Sequence, residues 1–151
     1  MMNTNQQELQ ILLVEDNPAD AEMTMDALRA SGLVNPVRWV RDGAEALAAL
    51  FGHGADLAAE GLRLRLILLD LRLPRVDGIE VLRAVRADER TRWLPVVVLT
   101  SSREESDLVR AYNLGANSYL VKPVEAETFM KSVGELGLYW MLLNKVPGET
   151  R

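Results

Sequence analysis

Short apolar runs alternate along this chain with longer stretches of helical period. The runs are Ile11–Val14, Val37–Val40, Leu66–Leu69, Val96–Leu99 and Ser118–Val121. Three of them are nearly continuous in Leu, Ile and Val, as strands covered on both faces are. Between them lie amphipathic stretches at Pro18–Ala30, Ala44–Phe51, Gly78–Ala87, Glu104–Leu114 and Glu125–Leu143. Five strand–helix units in strict alternation predict an α/β fold with a parallel five-stranded sheet. Right-handed crossovers then put helices on both faces of it.

The punctuation agrees. Asn17 precedes Pro18, an N-cap followed by proline at the first helical position, where a missing N–H costs nothing. Gly32 is a natural left-handed stop for that helix, and Pro95 breaks whatever precedes the fourth strand. His53–Arg65 is irregular, with Gly52, Gly54 and Gly61 in or beside it, and reads as a loop insertion. The last helix is expected to continue past a minimal domain as an extended C-terminal helix. The expected division is a domain over residues 8–136 and a helical extension and tail over 137–151.

In open α/β sheets, ligands bind beyond the carboxyl ends of the strands. Glu15 and Asp16 follow the first strand, Asp70 the third, Thr100 the fourth and Lys122 the fifth. Arg41-Asp42-Gly43, after the second, reads as a plain turn and cap. Taken singly, each site residue could be a cap or a solvated turn. As a set they bring three carboxylates, a hydroxyl and an ammonium to one edge. Crowded acids raise one another's pKa unless a cation sits among them. Oxygen ligands of this kind suit Mg²⁺ alongside a phosphoryl group. A carboxylate held there can act as nucleophile toward a phosphoryl donor, with Lys122 and Thr100 receiving the added charge.

Composition narrows the chemistry further. The 151 residues are 48% hydrophobic and 26% charged, with a net charge of −5, which argues against broad phosphate neutralisation and so against nucleic acid as a partner. There is no Cys, and His53 is the single His, so thiolate sites and multi-histidine metal sites are excluded. His53 stands alone in a Gly-rich loop, which gives it no ligand role. No wholly apolar run is longer than Leu138–Leu143, which is far short of the ~18 residues of a membrane span, and Met1–Glu8 lacks the charged start of a signal peptide. A cytoplasmic protein with no membrane partner is expected.

The segments LLVEDNPAD, LILLDLRLPRVDGIEVL, VVVLTSS and GANSYLVKP stand in an order that resembles the receiver domain of bacterial two-component response regulators. Each is weak alone; the ordered set is specific, and it runs from Leu12 to Pro123. The resemblance implies a flavodoxin-like (βα)5 fold of strand order 2-1-3-4-5. It implies that Asp70 accepts a phosphoryl group from a histidine kinase. Glu15, Asp16 and Asp70, with the backbone carbonyl of Arg72, would hold Mg²⁺. Thr100 and Lys122 would bind the phosphoryl group, Tyr119 would be the aromatic switch that follows Thr100, and the bond from Lys122 to Pro123 is commonly cis in the family. Glu15 stands where many receivers carry Asp. Arg72 and Ser102 stand where the family tunes phosphoryl loss.

A narrower likeness concerns AYNLGANSYLVKPV and the tail around Tyr139-Trp140, which resemble small regulators paired with bacterial phytochrome histidine kinases. A red-light sensor kinase is the implied donor. The apolar cluster past Leu136 is too broad for one domain face. It suggests a homodimer contact in which Phe129, Val133 and Leu136 face inward while Tyr139, Trp140 and Leu143 reach across a two-fold axis. A single-domain regulator that signals by contact, and is no enzyme, is expected. Two alternatives stand beside it. An unphosphorylated receiver-like module usually lacks the acid pocket or lysine. An aspartate-nucleophile phosphatase wants a second Asp where this chain has Arg72.

Overall fold

The structure, a computed structural model, describes residues 10–52, 64–101 and 110–137. In chain order its elements are β1 (Gln10–Val14), α1 (Pro18–Ala30), β2 (Val37–Val40), α2 (Gly43–Phe51), β3 (Leu64–Asp70), α3 (Gly78–Ala87), β4 (Val96–Thr100), β5 (Ser118–Val121) and α4 (Ala126–Glu135). A helical turn at 110–113 lies between β4 and β5. The strands form one parallel sheet of order β2-β1-β3-β4-β5. β1 and β3 are therefore central neighbours, in register from Ile11 opposite Leu66 to Val14 opposite Leu69.

Continuous apolar strands follow from burial on both sides. Successive side chains point to opposite faces. Ile11, Leu13, Leu66 and Leu68 pack with Leu28 of α1 and Phe129 of α4. Leu12, Val14, Ile67 and Leu69 pack with Leu50 of α2 and Leu82 of α3. The helix starts are closed as their sequence suggests. Asn17 Oδ1 accepts from the N–H groups of Ala19 (2.9 Å) and Asp20 (3.1 Å), and Asp42 Oδ1 accepts from Glu45 (2.8 Å).

Two expected boundaries are corrected. The loop insertion does not reach Arg65, because β3 begins at Leu64, which is fully buried and opposite Gln10 across a register shift. Arg65 hides this in the sequence: it is a charged strand residue whose guanidinium stacks 5.7 Å from the Trp93 ring. Nor does one helix run from Glu125 to Leu143. α4 ends at Glu135, Leu136 caps it, and Gly137 at φ 68° takes the left-handed turn that stops a helix. His53, Ser102, most of the expected Glu104–Leu114 helix and the tail from Leu138 lie outside the described residues.

Two local features position the upper loops. Gly78 opens α3 against the end of β3: a Cβ there would stand 2.3 Å from the Asp70 carbonyl oxygen. Arg86, near the end of α3, ties three segments together. Its Nε and Nη2 donate to the Gly115 carbonyl (3.0 and 2.7 Å), Nη1 to the carbonyls of Leu94 (2.7 Å) and Arg92 (3.0 Å), and Nη2 also to Asn117 Oδ1 (2.9 Å). Asn117 Oδ1 in turn accepts from the first residue of β4, Val96 (2.8 Å).

Candidate functional site

The sheet order places the ends of β1 and β3 side by side, and the acids come together there. Carboxylate oxygens of Glu15, Asp16 and Asp70 lie within 4.8 Å of one another. Glu15 is fully buried and Asp70 nearly so, whereas Asp16 faces solvent. Both Asp70 oxygens have partners. Oδ1 accepts from the Arg72 N–H at 2.9 Å, and Oδ2 accepts from Lys122 Nζ at 2.8 Å.

Lys122 arrives from the end of β5, its N–H bonded to the Thr100 carbonyl at 2.7 Å. Its ammonium also reaches Glu15 Oε1 at 2.9 Å and Asp20 Oδ2 at 3.2 Å. The bond from Lys122 to Pro123 is cis, as the resemblance implied. Burial pushes the Glu15 carboxyl up to about 7; the Lys122 hydrogen bond and the Asn17 N–H oppose this, while the Asp70 charge adds to it. Burial also works against the Lys122 charge, but the hydrogen bonds to Asp70 and Glu15 outweigh it and hold the ammonium above its ordinary value. The lysine is thus an internal counter-ion for an acid pocket that burial alone would not tolerate as anions.

The donor set fits Mg²⁺. Three carboxylates from two adjacent strand ends offer hard oxygens, two of them buried and one open to solvent, which leaves room for retained waters. The Arg72 N–H bond to Asp70 brings that peptide beside the same cluster.

Thr100 ends β4, with Leu99 opposite Asp70 and Thr100 opposite Val121, so it stands on the same edge. Tyr119 points outward, 38% exposed, its ring 6.1 Å from that of Tyr112 in an edge-on pair. Two residues at this edge are not evident from the sequence. Asp20 reads as an ordinary acidic residue of a helix's first turn, yet it joins Lys122. Trp39 reads as packing, yet its Nε1–H donates to the Glu15 main-chain carbonyl at 2.8 Å. No spacing signal marks either, because each contact crosses between elements.

A family model for the response regulator receiver domain matches residues 11–134. The chain belongs to that family. FilR2 of Methanothrix harundinacea, a probable methanogenesis regulatory protein, is 46% identical over 141 residues, 91% of this chain and 87% of that protein. The response regulator Rcp1 of Synechocystis is 37% identical over 131 residues, 87% and 88% of the two chains. A structure of Rcp1 in its Mn²⁺-bound form aligns with a TM-score of 0.70 at 36% identity, covering 93% of this receiver and 99% of that chain. The bacteriophytochrome response regulator RtBRR aligns with a TM-score of 0.79 at 50% identity, covering 93% and 85%. This receiver is therefore a two-component response regulator with the flavodoxin-like fold, related to phytochrome response regulators.

Among the residues expected at a dimer contact, Phe129 and Val133 lie in the receiver's own core, 0% and 1% exposed. Both face inward, as expected, and hold α4 against the sheet. Leu136 packs partly buried against the same cluster, and Tyr139, Trp140 and Leu143 lie outside the described residues. No helix among the described residues is long and apolar enough to cross a membrane.

Proposed function

We propose that this receiver is a phosphoacceptor switch: Asp70 takes a phosphoryl group from a histidine kinase, with a phytochrome-type light sensor as donor. One observation carries the reading. Asp70 is nearly buried among two further carboxylates and a lysine that it hydrogen-bonds, an arrangement suited to a nucleophile awaiting added charge.

In the transfer, an Asp70 carboxylate oxygen attacks phosphorus while the N–P bond of the phosphohistidine breaks. The imidazole leaves with the bonding pair and an acyl phosphate remains on Asp70. Mg²⁺, held by Glu15, Asp16, Asp70 and the Arg72 carbonyl, would offset the charge of the acids and the phosphoryl oxygens when bound. The Arg72 N–H orients the carboxylate. Lys122 and Thr100 then follow the added charge of about −1.5 to −2. Tyr119, on the strand beside Thr100, turns from its exposed place into the space Thr100 leaves, and the surface near β5 and α4 changes.

The output is a protein contact rather than catalysis on an external substrate. A homodimer in which Phe129, Val133 and Leu136 face inward and the tail residues Tyr139, Trp140 and Leu143 reach across a two-fold axis, in the cytoplasm and without nucleic acid, completes the proposal. The test is intact mass with Mg²⁺ and a small phosphoryl donor, on wild type and Asp70→Asn. One phosphoryl group on wild type and none on the variant is the expected result. No adduct on the folded wild type would end the reading and leave a contact module of receiver shape.

A further inference from the structure

Lys122 has three ammonium protons, and three carboxylates take them. Glu15 Oε1 stands at 2.9 Å, Asp70 Oδ2 at 2.8 Å and Asp20 Oδ2 at 3.2 Å. An ammonium has no fourth donor. A phosphoryl group on Asp70 brings new acceptor oxygens for the same nitrogen, and these compete with its present partners.

The three bonds are unequal. The contact to Asp20 is the longest, and the Asp20 side chain is 34% exposed against 0% for Glu15 and 6% for Asp70. Water can take the place of Lys122 at Asp20. At Glu15, fully buried, no water is at hand to take its place. The backbone of Asp20 is fixed meanwhile, its N–H held by the Asn17 side chain in the first turn of α1. Its carboxylate can therefore let go without disturbing the helix.

We infer that Asp20 is the release partner of Lys122, an exchangeable third acceptor that competes with the phosphoryl group for the ammonium. The inference rests on the phosphoacceptor reading of Asp70 and adds a residue that sets how readily the phosphorylated form closes. With Asp20 present, Lys122 is shared; without it, the ammonium is available to the phosphoryl oxygens from the start. Asp20 is a positioning residue, since it acts through Lys122.

The experiment measures affinity for beryllium trifluoride, a phosphoryl mimic, by fluorine NMR titration of the full chain with Mg²⁺. Wild type, Asp20→Asn, Lys122→Met and the double variant form a cycle, with Asp20→Glu as the conservative control. Asp20→Asn should bind the mimic about tenfold more tightly, the scale of one hydrogen bond to a charged group. In the Lys122→Met background the same change should matter by less than about twofold, and Asp20→Glu should stay near wild type. Unchanged or weaker binding by Asp20→Asn overturns the inference. So does an equal gain without Lys122, which would be a general effect of removing a negative charge. Asp20→Ser answers the same questions if the Asn variant does not fold. A folded wild type that takes no mimic at all would instead fail the phosphoacceptor reading itself.

Discussion

The Trp39 indole N–H donates to the main-chain carbonyl of Glu15 at 2.8 Å, so the edge strand β2 holds the turn that carries two of the three clustered carboxylates. The Glu15 N–H is bonded to the Val40 carbonyl at 3.1 Å, which pins the same residue from its other side. The Arg41 guanidinium lies over the indole, 4.9 Å from the ring centre, and covers it. Trp39→Phe keeps an aromatic ring and removes the donor. Manganese affinity, read from the EPR signal of free Mn²⁺, should fall roughly fivefold, the equivalent of about 1 kcal/mol for one hydrogen bond. Unaltered affinity in a folded variant would mean that the turn holds its shape without the indole.

The acids are assembled only by folding, since Glu15 and Asp70 come from different strands. A metal that binds the folded receiver must therefore stabilise it. At 100 times its dissociation constant Mg²⁺ adds about 2.7 kcal/mol. For a domain of this size that is a rise of roughly 5–10 °C in Tm. Asp16→Asn should keep the fold and lose most of this rise, and chelation should return wild type to its metal-free Tm. Calorimetry with and without the ion reads both.

Gly78 should tolerate no side chain. A Cβ there meets the Asp70 carbonyl oxygen at 2.3 Å and the Leu71 Cα at 2.6 Å, and both are backbone atoms that cannot turn aside. Alanine would gain up to about 1 kcal/mol of helix propensity over glycine. Overpacking costs about 1–3 kcal/mol, and displacing the strand end that carries Asp70 puts the cost at the upper end. Gly78→Ala should be destabilised in urea and slower to label at Asp70. A variant as stable and as fast as wild type would refute the close approach.

Arg75 predicts the opposite sign. It holds φ 69° in the β3–α3 loop, a left-handed conformation that costs a non-glycine residue roughly 1–2 kcal/mol. Glycine removes that penalty and adds about 0.5–1 kcal/mol of chain entropy to the unfolded state. The difference favours Arg75→Gly by roughly 0.5–1 kcal/mol, visible as a higher urea midpoint at unchanged slope.

Much of this receiver is legible in its sequence for plain physical reasons. Strands covered on both faces must be apolar throughout, so Ile11–Val14, Leu66–Leu69 and Val96–Leu99 announce themselves. Charged residues directly behind such runs stand at one edge by topology, which brought Glu15, Asp16, Asp70 and Lys122 together in expectation as the structure does in space. Residues whose local reading is already sufficient stay hidden. Asp20 suits a helix start, Trp39 suits a half-buried strand, and Arg86 suits a helix end. Nothing local asks for a second partner. The end of α4 stays hidden as well, because Leu138–Leu143 continues the apolar content while Gly137 decides the backbone.

The clamp made by Arg86 has a mechanical consequence. The chain that leaves the sheet at Thr100 is fastened again at Gly115 and Asn117, to α3 and to the first residue of β4. These bonds fix the entry to β5 against β4 and α3 independently of the strand ladder. Tyr119, two residues past Asn117, thus stands on an anchored stretch of strand, so a turn of its ring needs no shift of the main chain beneath it.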